Sequence, residues 1–149
     1  MKSIHVSIRD QRLTLKEDET LIRSYPVSTS RFGIGTEEGS MKTPTGRFSV
    51  AKKIGGDMPS GTIFQSRMPL KPSDPLPPTE DLVTSRILWL DGLDDQNANT
   101  RDRFIYIHGT KHEHKIGTPD SCGCVRMLNA DVIELFDLVD EGTPVVIEA

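Results

Sequence analysis

The apolar residues of this 149-residue chain fall mostly in short runs that alternate with polar residues, and this spacing restricts the fold to β-strands over much of the chain. Ile4, Val6 and Ile8 alternate in this way, and Leu13 and Leu15 repeat the pattern after a polar turn. Because successive side chains of a strand point to opposite faces, each run predicts a half-buried strand. Two such runs joined by a short turn predict the beginning of an antiparallel meander.

Further strands are predicted over residues 21–30, 47–54, 86–91, 104–107 and 145–147. Between them, six of the ten prolines fall from Pro59 to Pro78, and prolines at this density oppose both helix and sheet. Residues 55–84 are therefore predicted to be irregular, either as a flap over a cleft or as a solvated loop.

One stretch near the end of the chain has helical spacing. Val132, Leu135, Phe136 and Val139 occupy positions i, i+3, i+4 and i+7, which predicts one apolar helical face. Asn129 is predicted to cap the start of this helix. Gly142 and Pro144 are predicted to end it. The whole pattern favours a mostly β fold in a single domain, residues 1–149, with one main α-helix.

Composition limits the classes of partner. The net charge of -4 and the pI near 5.5 argue against nucleic acid or an anionic membrane as a partner. No run of about 18 apolar residues occurs, so no membrane span is predicted. The first residues lack the apolar region of a secretory signal, so we expect a cytoplasmic protein if Met1 is the native start. Removal of an export signal would instead indicate the periplasm or the cell wall.

The groups able to do covalent chemistry are concentrated in residues 104–127. This stretch holds three of the four histidines (His108, His112 and His114) and both cysteines, Cys122 and Cys124. A thiolate is a good nucleophile, and a histidine nearby can generate it by removing the thiol proton. The residue pattern is consistent with a Cys124 nucleophile and His108 as its general base, although a single Cys/His pair in a chain of this size is more often incidental.

Four segments of the chain resemble one known family. They are Val-Ser-Thr-Ser at 27–30, Lys-Thr-Pro-Thr-Gly-Arg-Phe at 42–48, His-Gly-Thr at 108–110 and Ser-Cys-Gly-Cys-Val-Arg at 121–126. Together they resemble the catalytic core of the L,D-transpeptidase (YkuD-domain) family, including its L,D-carboxypeptidase members. The chain departs from the family pattern at Cys122, where the family usually has histidine. The resemblance implies a β-sandwich-like core of mixed sheets with the helix packed against a sheet.

The resemblance also implies roles for individual residues. Cys124 would be the nucleophile, His108 the general base, and the Gly109 carbonyl would orient the imidazole. The remaining candidates would bind the oxyanion or the substrate: Gly123, Cys122, Ser121, Arg126 and Tyr106. For Arg126 two interpretations stay open, a cation for a substrate carboxylate or a structural ion pair.

The activity implied is cysteine-dependent acyl transfer on peptidoglycan stem tetrapeptides, with carbapenems as expected inhibitors. The bond between an L-centre and the terminal D-residue would be cleaved through a thioester. Water is expected to be slightly favoured as acceptor, which is L,D-carboxypeptidase action. An amine acceptor would instead give L,D-transpeptidation.

Two alternatives belong to other functional classes. His108, His112, His114, Cys122 and Cys124 could be zinc ligands, but their spacing does not match common zinc motifs. A non-catalytic peptidoglycan-binding module is disfavoured because His108 and Cys124 are both present. No metal or other cofactor is therefore predicted.

Overall fold

The structure, a computed structural model, describes residues 1–76 and 81–149. In chain order its strands are β1 (Lys2–Ser7), β2 (Arg12–Glu17), β3 (Thr20–Ser28), β4 (Gly46–Ile54), β5 (Ile63–Gln65), β6 (Met68–Pro69), β7 (Val83–Gly92), β8 (Tyr106–Gly109), β9 (Val125–Met127) and β10 (Pro144–Glu148). The α-helix of the described part, α1, is Asn129–Leu138, and two short 3-10 helices lie at Asp95–Asn97 and Glu113–Lys115. No helix within these residues is long and apolar enough to cross a membrane.

Eight of the strands form a closed ring. Its order is β4-β10-β1-β2-β3-β9-β8-β7, and β7 pairs back with β4. The pairs β1–β10 and β8–β9 are parallel, while the other neighbours in the ring are antiparallel. A hairpin of β5 and β6 is attached to β7. The predicted mostly β fold with one main helix is confirmed, and its strands belong to a single mixed sheet.

A largely aliphatic core joins the ring to the helix. Ile4, Leu13 and Leu15 are fully buried, as the alternating pattern predicts. Val132 and Leu135 of α1 are fully buried in the same cluster, and the helix packs against β7 and β8. Burial of each such side chain stabilises the fold by about 1.5–3 kcal/mol. The helix is therefore held by its apolar face against the two strands that enter the candidate site.

The prediction of an irregular stretch over residues 55–84 is wrong in part. The hairpin β5–β6 forms within it, and β7 already begins at Val83. The turn of the hairpin is Ser66-Arg67, with φ angles of 50° and 67°. Both residues lie in the left-handed region, where a side chain costs about 1 kcal/mol and glycine is common. Because neither residue is glycine, the sequence did not indicate this turn. Pro77 and Pro78, the end of the proline-rich run, lie outside the described residues.

The strand predicted at residues 104–107 is displaced. The observed β8 is Tyr106–Gly109, so His108 and Gly109 belong to the strand rather than ending it. Phe104 has a φ of 56°, which is incompatible with a strand at that position. The neighbouring β9 was not predicted, because three residues are too few to show a periodic pattern.

The predicted helix caps are also wrong. Leu128 occupies the N-cap position without a side-chain cap, and Asn129 is the first helical residue. The Asn129 amide instead accepts hydrogen bonds from the hydroxyls of Thr84 and Ser85 and donates one to the Thr110 carbonyl. The helix ends at Leu138, before Gly142, because Val139 adopts an extended conformation and is buried in the core.

The loop after β7 is fixed to β4 by one buried side chain. The Nδ2 of Asn97 donates to the carbonyls of Thr45 (3.1 Å) and Arg47 (3.2 Å), and its Oδ1 accepts the Asp94 N–H (2.9 Å). Asn97 is fully buried. It therefore satisfies three backbone groups of two segments with one amide.

We predict that Asn97→Ala lowers the free energy of unfolding by about 1–3 kcal/mol, because three backbone groups each lose a hydrogen bond. Urea denaturation measures the change. The matched control is Asn99→Ala, since exposed Asn99 makes one hydrogen bond, to the Thr36 carbonyl. Equal losses in the two variants would contradict the assignment of the buried amide as a structural anchor.

Candidate active site

The parallel pairing of β8 with β9 positions Cys124. Ile107 lies opposite Val125 and His108 opposite Arg126 in this pair. Cys124 immediately precedes β9, so it lies opposite Tyr106 when the same register is continued by one residue. Its Sγ accepts the Tyr106 N–H at 3.3 Å and lies 3.4 Å from the Phe104 carbonyl oxygen, to which the thiol can donate.

The nucleophile and base candidates share one face of this pair. Tyr106 and His108 lie two positions apart on β8, so their side chains point the same way, whereas Ile107 points into the main core. Tyr106 belongs to a second apolar cluster with Phe64 and Ile87, and Cys124 packs against that cluster. The pairing thus brings Cys124 to the strand and face that carry His108.

The imidazole of His108 is fully buried and held in one orientation. Its Nδ1 is 2.5 Å from the Gly109 carbonyl oxygen. A carbonyl can only accept, so Nδ1 carries the proton and Nε2 is left with a lone pair. Nε2 has no hydrogen-bond partner among the described residues. Burial lowers the pKa of His108, against the opposing charge of Asp81, so the ring is neutral and able to take a proton.

Close packing around residue 109 leaves room only for glycine, in addition to the role of its carbonyl. A Cβ at this position would lie 2.5 Å from Asn129 Oδ1 and 2.7 Å from the Thr84 carbonyl oxygen. Both separations are shorter than any side chain tolerates. The start of α1 and the strand β7 therefore fix the peptide that orients His108.

The thiol of Cys124 is protonated in the resting protein. Burial and then the charge of Asp81 raise its pKa to about 12, while the Tyr106 N–H and the Arg126 guanidinium act in the opposite direction. A preformed thiolate–imidazolium pair is therefore disfavoured. Attack by this sulfur requires a base that removes the proton as the bond forms.

Hydrogen bonds within residues 121–124 hold the turn before β9. The hydroxyl of fully buried Ser121 donates to the Cys124 carbonyl (2.6 Å) and accepts the Gly123 N–H (3.3 Å). Gly123 has a φ of 125°, which favours glycine. Its N–H is thus used inside the turn, whereas the sequence predicted that it would face an oxyanion. Thr43, from the family-like segment at residues 42–48, donates to the Gly123 carbonyl at 3.0 Å.

The guanidinium of Arg126 is held between two carboxylates. Its Nε lies 2.7 Å from Asp81 Oδ1 and its Nη1 lies 2.6 Å from Asp120 Oδ2. Only 2% of the side chain is exposed. Of the two interpretations left open by the sequence, this geometry favours the structural ion pair.

Cys122 lies where two cavities meet. The larger, of about 460 Å³, is lined by Cys122 with the cations of Arg31, Lys111 and Lys115, and by His112. The smaller, of about 300 Å³, contains Cys122, Arg103 and Phe104. The Cys122 thiol is partly exposed, so it can contact a molecule that approaches the thiol of Cys124.

The zinc interpretation finds no geometric support among residues 1–76 and 81–149, where no three His, Cys, Asp or Glu side chains converge on a point. His108 is buried within β8. In the following loop, His112 directly precedes the short 3-10 helix and His114 lies within it. The two loop rings contact each other edge to face at 6.1 Å between centroids.

Sequence reasoning missed two acidic residues and one cation of the site. Asp81 and Asp120 lie in loops without periodicity, and Arg67 lies at a hairpin tip that the sequence did not predict. Asp120 had a weak signal, because it directly precedes the Ser-Cys-Gly-Cys segment. Asp81 and Arg67 had none, since only the folded chain brings them to the site.

Comparison with known proteins agrees with this geometry. A family model, described as the L,D-transpeptidase catalytic domain (YkuD), matches residues 1–147. The protein named YkuD of Bacillus subtilis is 31% identical over 97% of this chain, which covers 64% of that relative. YkuD of Bacillus licheniformis is 29% identical, with 95% of this chain and 62% of the relative covered. The chain spans about three fifths of the length of these curated relatives.

Solved structures show the same fold. An L,D-transpeptidase from Mycobacterium smegmatis superposes with a TM-score of 0.68 at 18% identity, covering 99% of this chain and 58% of that one. The L,D-transpeptidase LdtMt1, solved in complex with imipenem, gives a TM-score of 0.62 at 19% identity, covering 99% of this chain and 58% of that one. The closed sheet, the Cys124 turn and the match over residues 1–147 lead to one assignment: the chain belongs to the L,D-transpeptidase catalytic-domain (YkuD) family.

Proposed function

We propose that this chain catalyses cysteine-dependent acyl transfer on peptidoglycan stem tetrapeptides, through a thioester on Cys124. One observation carries the proposal. A buried neutral histidine, His108, has its Nδ1 fixed by the Gly109 carbonyl and its Nε2 unpartnered, on the strand whose backbone contacts the Cys124 thiol. A thiol of raised pKa on the same face of the sheet as such an imidazole is suited to general-base catalysis.

In the first half-reaction, Sγ attacks the carbonyl carbon of the L-centre while the thiol proton passes to Nε2 of His108. The C–N bond to the terminal D-residue then breaks. The imidazolium returns its proton to the leaving amine, and a thioester remains on Cys124. The reverse proton transfers serve the second half-reaction, in which an acceptor attacks the thioester.

Water is proposed as the slightly favoured acceptor. The residue that precedes Gly123 and Cys124 carries a neutral thiol, Cys122, where the family usually has an imidazole. A thiol takes a proton from an incoming ammonium group less readily than an imidazole does. The second candidate is an amine acceptor, which would give 3→3 cross-links or D-amino acid exchange. His112, which lines the same cavity as Cys122, is the observation that keeps this candidate in view.

We predict that Cys124→Ala abolishes turnover of a disaccharide tetrapeptide and leaves the circular dichroism spectrum unchanged, because the nucleophile is lost while the apolar cluster loses only one partly buried sulfur atom. Mass spectrometry of the released tripeptide measures the rate. Cys122→Ala is the matched control and is expected to retain most of the activity. Comparable losses in the two variants would contradict a single nucleophile at Cys124.

We predict that one molecule of imipenem acylates Cys124. We expect the acylation rate to change little from about pH 6.5, the ordinary histidine pKa, to about pH 8. Burial lowers the pKa of His108, so the base stays neutral over this range and its protonation slows the reaction only at lower pH. Intact-mass kinetics measure the rate.

Attack by free thiolate would behave differently. With a thiol pKa of about 12, the thiolate fraction falls roughly tenfold per pH unit throughout this range. His108→Gln is expected to show that steep dependence at a much lower rate. The same steep dependence in the unaltered protein would exclude His108 as the base.

We predict that soluble tetrapeptide supplied with millimolar D-methionine yields more tripeptide than exchanged tetrapeptide. The expected reason is the weaker acceptance of amines beside Cys122. Mass spectrometry of the two products gives their ratio, and Cys122→His is expected to shift it toward exchange. Predominant exchange in the unaltered protein would assign the chain to the amine-accepting members of the family.

A further inference from the structure

A cation at the tip of the β5–β6 hairpin, Arg67, contacts two of the residues that contact the candidate nucleophile. Arg67 occupies the second position of a two-residue turn and has a φ of 67°, in the region that favours glycine. Ser66, the first position, has a φ of 50°. Strained positions of this kind persist where surrounding contacts fix them, and they cluster at ligand-binding sites.

Aromatic contacts hold the guanidinium of Arg67 in place. Its central carbon lies 4.9 Å from the centroid of the Trp89 ring and 4.9 Å from that of the Phe104 ring. Its Nη1 donates to the Tyr106 hydroxyl at 3.1 Å. The Trp89 indole is in turn fixed by its own hydrogen bond to the Arg101 carbonyl. The cation is therefore oriented in advance, which reduces the entropy lost when a ligand binds.

The same aromatic residues contact the thiol of Cys124. Phe104, whose ring packs against Arg67, presents its carbonyl oxygen 3.4 Å from Sγ. Tyr106, which accepts a hydrogen bond from Arg67, donates its N–H to Sγ. Phe64 of β5 lies in the apolar cluster against which Cys124 packs. The hairpin tip and the nucleophile are thus fixed to the same two residues, the tip through the Phe104 ring and the Tyr106 hydroxyl and the thiol through the backbone of both.

Arg67 has no carboxylate within ion-pairing distance in the described part of the chain, whereas Arg126 has two. A guanidinium has five N–H donors, and the described residues engage one donor of Arg67, through Tyr106. A further arginine near the thiol, Arg103, donates to the Gly35 and Lys42 carbonyls and to the Ser40 hydroxyl. Arg67 therefore retains the donors that a planar anion requires.

We propose that Arg67 binds the free α-carboxylate of the terminal D-residue that leaves during thioester formation. This inference rests on the proposed function. One residue of extended peptide spans about 3.5 Å, so the carboxylate of the leaving residue lies close to the scissile bond and to Cys124. The planar guanidinium fork matches a carboxylate with two parallel hydrogen bonds. Arg67 would thus select stem peptides that end one residue after the scissile bond.

The test compares a tetrapeptide bearing a free terminal carboxylate with its C-terminal amide. The unaltered protein is expected to prefer the acid by roughly 10–100-fold in kcat/KM, the range for a hydrogen-bonded charge pair. Arg67→Ala is expected to lose about the same factor on the acid and almost nothing on the amide. Arg67→Lys keeps the charge without the fork and is expected to be intermediate.

The matched control is Arg101→Ala. Arg101 also lies over the Trp89 ring, at 5.2 Å, but is exposed and makes no described contact with Tyr106. It is expected to leave the acid-to-amide ratio unchanged. Thermal melting of each variant checks that the fold is retained.

The outcomes separate the two proposals. Equal losses on acid and amide in Arg67→Ala would mean that Arg67 only supports the hairpin, and would overturn its role in recognition. An unchanged ratio would overturn that role as well. Failure of the unaltered protein to cleave either peptide, with imipenem still acylating Cys124, would overturn the proposed tetrapeptide activity together with the role of Arg67.

Discussion

The buried ion pairs of Arg126 link the strand after the nucleophile to the loops that carry Asp81 and Asp120. Asp81 precedes β7 and Asp120 precedes the Cys124 turn, and both carboxylates meet the same guanidinium. A buried cation is costly to transfer from water, and its loss would leave two carboxylates without their shared partner. The position of β9 depends on this arrangement. The contact between the Cys124 thiol and the Tyr106 N–H depends in turn on the position of β9.

Burial has the largest effect on the protonation of the site, and the same charges modify it. Asp81 disfavours a thiolate at Cys124, and Arg126 partly offsets that effect. His108 is kept neutral by burial. The resting site therefore consists of two uncharged partners in a poorly solvated place, and charge develops only when a substrate carbonyl accepts the sulfur. Such a site avoids the desolvation cost of a permanent ion pair at the reacting atoms.

The sequence predicted the parts of the molecule that depend on local pattern. Alternation of Ile4, Val6 and Ile8 was sufficient to predict β1, and the spacing from Val132 to Val139 was sufficient to predict α1. The pairing that matters most for the site, β8 with β9, was not predictable, because β9 has three residues and its partner is reached across a loop. The roles of Cys124 and His108 came from motif resemblance, whereas the mutual position of their strands required the structure.

Residues whose importance arises from packing were harder to predict. Asn129 was interpreted as a helix cap because its side chain commonly has that role, yet its amide binds three residues on two other segments of the site. For Gly109 the sequence suggested a role for the carbonyl alone. In the structure Asn129 and Thr84 also leave no room for a Cβ at this position. Both interactions join residues far apart in the chain, which single-sequence patterns do not report.

Closure of the sheet has a consequence for the behaviour of the protein in concentrated solution. Each strand of the ring has a neighbour on both sides, so most backbone groups of its eight members are engaged and cannot pair with another molecule; β3, however, meets β9 at Val27 and Ser28 alone. Among the described strands, the outer edge of the attached hairpin is β6, which is only two residues long and includes Pro69. Proline lacks an N–H to donate to an added strand. The fold is therefore protected against edge-to-edge aggregation except along the part of β3 that precedes Val27, although most of its regular structure is β.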